Sequence, residues 1–153
     1  MQIITSRFGP VEIDIEDILL FPHGVIAFEA CRHWVLLADD QNDSLGWLQS
    51  VTDCEIALPV VSPRRFAPQY QVHLTRGQLA PLELSHFDQA YVLTVVSKSD
   101  DELTLNLKAP LVINLDRRLG RQVIASDEQS VAWQLTGTGQ LTGEQPATRR
   151  KSA

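Results

Sequence analysis

Cysteine is nearly missing from this chain: Cys31 and Cys54 are the two in 153 residues. They could in principle pair, but a reducing compartment would keep them as thiols, and both are expected to serve as small, half-buried apolar groups. Cys31 and His33 stand two apart without a second pair of ligands to complete a zinc site. No apolar run approaches the ~18 residues that a membrane-spanning helix needs. The start, "MQIITSRFGPVEID", has neither a basic opening with an apolar stretch nor a cleavage site, so a signal peptide is not expected and the cytoplasm is the expected location. Positive charge is also short. A formal net charge of −6 and a pI near 5.1 disfavour direct binding to nucleic acid, whose phosphates such a surface repels. The same acidity can steer the chain toward basic proteins.

Catalytic signatures are missing as well. The sequence contains no G-x-S-x-G elbow, no G-x-x-x-x-G-K-[ST] loop, no G-x-G-x-x-G and no H-E-x-x-H. His23, His33, His73 and His86 are scattered over different turns and strands. Asp39-Asp40-Asp43 and Asp100-Asp101-Glu102 fall in turns, where carboxylates are usually solvated, and EF-hand spacing is not met. No enzyme activity, cofactor or metal is therefore expected, although carboxylates from distant strands could still meet.

What is abundant is alternation of period two. In "VEIDIED", Val11, Ile13 and Ile15 oppose Glu12, Asp14 and Glu16; "YQVHLT" (70–75) and "ELTLNL" (102–107) alternate in the same way. The runs "WVLLA" (34–38), "IALPVV" (56–61) and "YVLTVVS" (91–97) are apolar on both faces and suit strands buried on two sides. Turn signals separate them: Phe8-Gly9-Pro10, Pro22-His23-Gly24, "DDQNDS" (39–44), Ser62-Pro63 and the hairpin connection "SKSDD" (97–101). Helix signal is confined to one or two short turns in "RGQLAPLELSHFDQ" (76–89), limited by Pro81. The expectation is an all-β fold with minor α content: a small, single-domain, β-barrel-like structure of roughly eight to ten short antiparallel strands. From about Thr136 apolar residues thin out. Residues 1–135 are expected to form the domain and 136–153 a flexible polar tail. The tail sets Arg149, Arg150 and Lys151 against Glu144, a local +2, which leaves the body at about −8 by subtraction from −6.

Surface chemistry remains. Gln49, Asn106 and Asn114 are expected on outward sheet faces, where they could tie down neighbouring backbone or offer hydrogen bonds to another chain. Phe66 and Tyr70, near Pro63–Pro68, could anchor a partner or pack under a loop. These five are the candidate partner-binding residues. Pro110 lacks an N–H, so it should break the run 102–114 into two strands. Asn114 should then share an outward face with Val112 and Asp116, with Leu111, Ile113 and Leu115 in the core.

Three segments in order carry a resemblance: "DILLFPHGVIAFEACRHWVLL" (17–37), "LGWLQSVTDCEIALPVVSPRRFAPQYQV" (45–72) and "NLKAPLVINLDRRLGRQVI" (106–124). Through them, residues 2–126 resemble the flagellar assembly factor FliW family. Two departures stand out. The family's first segment usually reads Gly-Ile-Pro followed by Gly-Phe, where this chain has Gly24-Val25-Ile26-Ala27-Phe28, a change expected to alter the turn. Where many relatives have Val-Asp-x-Pro, this chain has Val51-Thr52-Asp53-Cys54. The resemblance implies a barrel-like, non-catalytic, cytoplasmic protein, taken as monomeric when free. Its implied partners are flagellin and CsrA, the small RNA-binding translational repressor; binding CsrA would relieve repression of flagellin mRNA, and new flagellin would compete. A flagellin chaperone without CsrA regulation and a small ligand-binding barrel are the alternatives.

Overall fold

The computed structural model describes residues 1–86 and 89–135 together with the backbone of 149–151. Strands β1 (Gln2–Thr5) and β2 (Gly9–Glu12) form a hairpin of their own. The main sheet contains β3 (Leu19–Leu20), β4 (His33–Asp39), β5 (Gly46–Ser50), β6 (Ala57–Val61), β7 (Ala90–Ser99), β8 (Glu102–Leu105), β9 (Leu111–Asn114), β10 (Leu119–Gln122) and β11 (Trp133–Gln134). A last strand, β12 (Arg149–Lys151), pairs with β4. The one α-helix among the described residues, α1, is the single turn Arg76–Leu79, followed by a 3-10 turn over Ala80–Leu82. No described helix is long and apolar enough to cross a membrane.

The main sheet closes on itself. Its order runs β7-β6-β5-β4-β3-β10-β9, and β9 returns to pair with β7 through Leu111↔Leu93 to Asn114↔Ala90. One long strand makes this possible. The first half of β7 pairs with β9, while its second half turns away to pair with β8. The result is the expected barrel-like, mostly antiparallel fold, with β10 against β3 as a parallel exception at Leu119↔Leu20. Two further pieces, β11 and β12, extend it past the expected eight to ten strands.

The ring fills with alternate side chains, among them Trp34, Leu36, Leu48, Val60, Leu93, Leu111 and Ile113. Trp34 is fully buried, and its indole N–H donates to the Cys31 carbonyl at 2.9 Å. Outside the ring lie separate covering layers. The β1–β2 hairpin packs Ile3, Val11 and Ile13 on Val35 and Leu37 of β4. The α1 segment and the turn after it set Leu82 on Val112 and Val123. A third cluster, with Tyr70, Val96, Leu105 and Leu107, fills the space beneath β8.

The turns explain most boundaries. Asp100 and Asp101 both take positive φ, 49° and 68°, as the two-residue connection between β7 and β8 requires. Gly24 sits at φ +67°, and a Cβ there would lie 2.5 Å from the Glu29 backbone. At Ile26-Ala27 the chain forms a closed turn: Phe28 N–H donates to Val25 O at 2.7 Å, with Ala27 at φ +75°. A left-handed third residue is the type II requirement, which glycine meets without strain. Ala27→Gly is therefore expected to raise stability by about 1 kcal/mol in urea unfolding. Ile26→Pro should not, because Ile26 N–H donates to Gln122 Oε1 at 2.8 Å.

Several alternating segments behave differently from the simple strand reading. Ile15 is 68% exposed because the chain leaves β2 and turns through a 3-10 helix at Ile15–Asp17. Residues 70–75 alternate as expected yet form no ladder. Side chains there replace the missing strand: His73 N–H donates to Asp127 Oδ1 at 3.1 Å, and the Ser126 hydroxyl donates to His73 O at 2.8 Å. Leu115, expected in the core, is 44% exposed because it lies in the turn between β9 and β10. The tail expected at 136–153 lies outside the described residues, apart from the strand at 149–151.

Candidate interaction surface

Pro110 separates β8 from β9 as anticipated, and the two asparagines on either side of it work on local backbone. Asn106 is half-buried in the turn after β8, where its Oδ1 accepts from Lys108 N–H at 3.0 Å. Asn114 does face out of the ring beside Val112, but that face is covered, and Asn114 is only 2% exposed. Its Nδ2 donates to Leu82 O at 2.9 Å and Glu83 O at 3.3 Å, while its Oδ1 accepts from Asp116 N–H at 3.1 Å and Arg117 N–H at 3.3 Å. One side chain thus pins the β9–β10 turn to the end of the 76–84 segment.

Gln49 is likewise not on a free surface. It stands opposite Val35 in β4, under the hairpin, fully buried. Its Nε2 donates to Ser50 O at 3.0 Å and to Cys54 O at 3.5 Å, holding the 51–54 loop against the sheet. Tyr70 is buried too: its hydroxyl donates to Leu107 O at 2.7 Å. Burial, with a smaller contribution from the nearby Asp127 charge, pushes its pKa up to about 12. The open surface expected for Gln49 and Asn114 is therefore corrected, and of the two alternatives for Tyr70 the buried one holds. In each case a covering layer, invisible to strand periodicity, hides the face.

Phe66 keeps part of its surface exposed, and it brings in a residue the sequence reading passed over. Trp133, 41% exposed on β11, donates its indole N–H to Phe66 O at 3.3 Å. Beside this contact runs a groove of about 240 Å³ floored by Ala67, Tyr70 and Leu107, with Gln71, Gln129 and Trp133 on its rim. The available signal was "VAWQL" (131–135), the last apolar run before the composition changes. Around the β1–β2 hairpin the acidic residues Glu12, Asp14 and Glu16 are exposed, as are Ile4 and Ile15. Among the described residues, no group of three or more His, Cys, Asp and Glu side chains is arranged to hold a metal ion.

A charged clamp stabilises the groove's surroundings. Asp127 Oδ2 lies 3.0 Å from His73 Nδ1 and accepts from Gln129 Nε2 at 2.8 Å, and Gln129 Nε2 also reaches Gln71 O at 2.7 Å. The His73 hydrogen bond, ahead of the other contacts, holds the Asp127 carboxyl well below the usual carboxylate range. A depressed folded-state pKa contributes stability above the unfolded value near ~3.9, and this is lost as pH falls through the folded value. Asp127→Asn should therefore lower stability at pH 7 and flatten its decline below about pH 4. Urea midpoints measured between pH 7 and pH 2.5 check this.

A hairpin-capped ring with these segments at its corners can be compared with known proteins. The family model described as FliW protein matches residues 2–135, nearly the whole described body. The chain belongs to the FliW family. The flagellar assembly factor FliW of Bdellovibrio bacteriovorus is 43% identical over 129 residues, covering 83% of this chain and 74% of that protein. The FliW of Natranaerobius thermophilus is 34% identical over 127 residues, covering 81% and 84%. A crystal structure of a flagellar assembly factor FliW superposes with a TM-score of 0.81 at 29% identity, covering 90% of this chain and 98% of that one. All three segments read from the sequence lie within the matched residues 2–135.

Proposed function

We propose that this flagellar assembly factor acts without catalysis, by binding two proteins in alternation. One is the RNA-binding translational repressor CsrA, whose hold on flagellin mRNA it antagonises; the other is flagellin, which competes for it and closes a feedback loop. The observation that carries the reading is membership of the FliW family over residues 2–135. Electrostatics supports it, because the −8 body is suited to approach a protein that is basic where it holds RNA. Of the five side chains named from the sequence, Phe66 and Asn106 retain accessible surface. The groove beside Phe66 and Trp133 is the face we assign to an apolar side chain of a partner, since aromatic residues are enriched at interface centres.

Pull-down of the purified protein against CsrA and against flagellin tests the proposal. Binding to both is expected, with Trp133→Ala weakening at least one. Binding to neither would sink it, and binding to flagellin alone would leave a dedicated chaperone.

A further inference from the structure

Strand β4 has one edge shared between two short neighbours. Its N-terminal part pairs with β3, through Leu19↔Trp34 and Leu20↔His33. Its C-terminal part, Leu37–Asp39, lies beyond the end of β3 and pairs with β12 in the register Arg149↔Asp39, Arg150↔Ala38 and Lys151↔Leu37. The ladder shows which backbone groups face that edge. Asp39 N–H turns to Leu45 O on the β5 side, and Phe21 N–H meets Arg32 O on the β3 side. Peptide groups alternate along an antiparallel strand, so the even-numbered residues face the β3 edge, and Ala38 presents its N–H and C=O to Arg150. Without β12 these groups would form an open strand edge, a ready template for another chain. Charge complements one end of the occupant: Arg149 stands opposite Asp39, where the strand enters the turn that also carries Asp40 and Asp43.

We propose that the β4 edge at Leu37–Asp39 is an exchangeable docking site for an extended basic strand, held in cis by Arg149–Lys151 and able to take a basic strand supplied in trans when that segment leaves it. Backbone hydrogen bonds supply the affinity in such strand addition, and flanking charge selects the sequence. Three residues make a weak strand, so the cis occupant can be exchanged. The assignment does not depend on which proteins the chain binds, because its test needs only the chain and a peptide.

The test compares the full chain with its Arg150→Pro variant, which removes the central N–H of β12 and disfavours ladder pairing. Hydrogen exchange at the Ala38 amide should quicken at least tenfold in the variant, with the Trp34 and Leu48 amides unchanged as a control for the fold. The peptide ATRRKSA, residues 147–153, should restore Ala38 protection in the variant. It should bind the variant at least tenfold more tightly than the wild type, and less tightly as salt is raised. The peptide ATEEESA should do neither. Unchanged Ala38 exchange in the variant, or equal peptide affinity for both proteins, would overturn the proposal. So would wild-type protection that rises with protein concentration, since that would place a second copy's strand on the edge.

Discussion

Asn114→Ala is expected to destabilise the protein by roughly 2–4 kcal/mol, lowering Tm by about 4–16 °C. The side chain makes four hydrogen bonds to main-chain groups on two separate segments, in a site only 2% exposed. Truncation leaves two carbonyls and two N–H groups to find other partners. Two of those bonds, to Leu82 O and Glu83 O, also hold the segment whose apolar side chains cover β9. The loss should therefore spread to exchange protection in residues 76–84. Asn114→Asp keeps the acceptor but turns a carboxylate toward those carbonyls, so it should be at least as damaging at pH 7. A Tm within 2 °C of wild type for Asn114→Ala would contradict this role.

Gly120→Ala is the second large effect, about 2 kcal/mol or more. A Cβ at Gly120 would lie 2.3 Å from two carbons of the Phe21 ring, which is fully buried in the barrel interior. Glycine is thus required in β10 so that the ring can lie against the strand backbone. Phe21→Leu introduced into Gly120→Ala should recover part of the loss, because it removes the atoms that collide. Double-mutant unfolding measures the coupling. Gly46→Ala is the matching control: the nearest atom to its Cβ would be 3.5 Å away, an ordinary contact, so a much smaller change is expected.

Asn114 also shows what strand periodicity conveys and what it does not. Asn106 binds local backbone, and Asn114 binds both its own turn and the distant 82–83 carbonyls. That Pro110 divides two strands follows from its missing N–H, a property of the residue itself. That Asn114 is buried does not follow, since it depends on α1 and the turn after it covering β9 from outside. Periodicity reports two faces of a strand; it cannot report that both are covered. Gln49 under the hairpin is buried for the same reason. Residues 70–75 show the converse: their alternation is real, but Asp127, Ser126 and Gln129 bind that backbone in place of a neighbouring strand. Trp133 was passed over because two residues of strand give too short a pattern to register. At Ala27, by contrast, the family's glycine and the observed left-handed φ agree, so a departure in sequence becomes a measurable strain.

The most direct test of the central claim is the affinity of CsrA for flagellin mRNA, titrated with this protein and then with flagellin. The account predicts that the protein weakens the CsrA–RNA complex in a saturable way and that added flagellin restores it. RNA affinity unchanged at concentrations that saturate CsrA with the protein would contradict it.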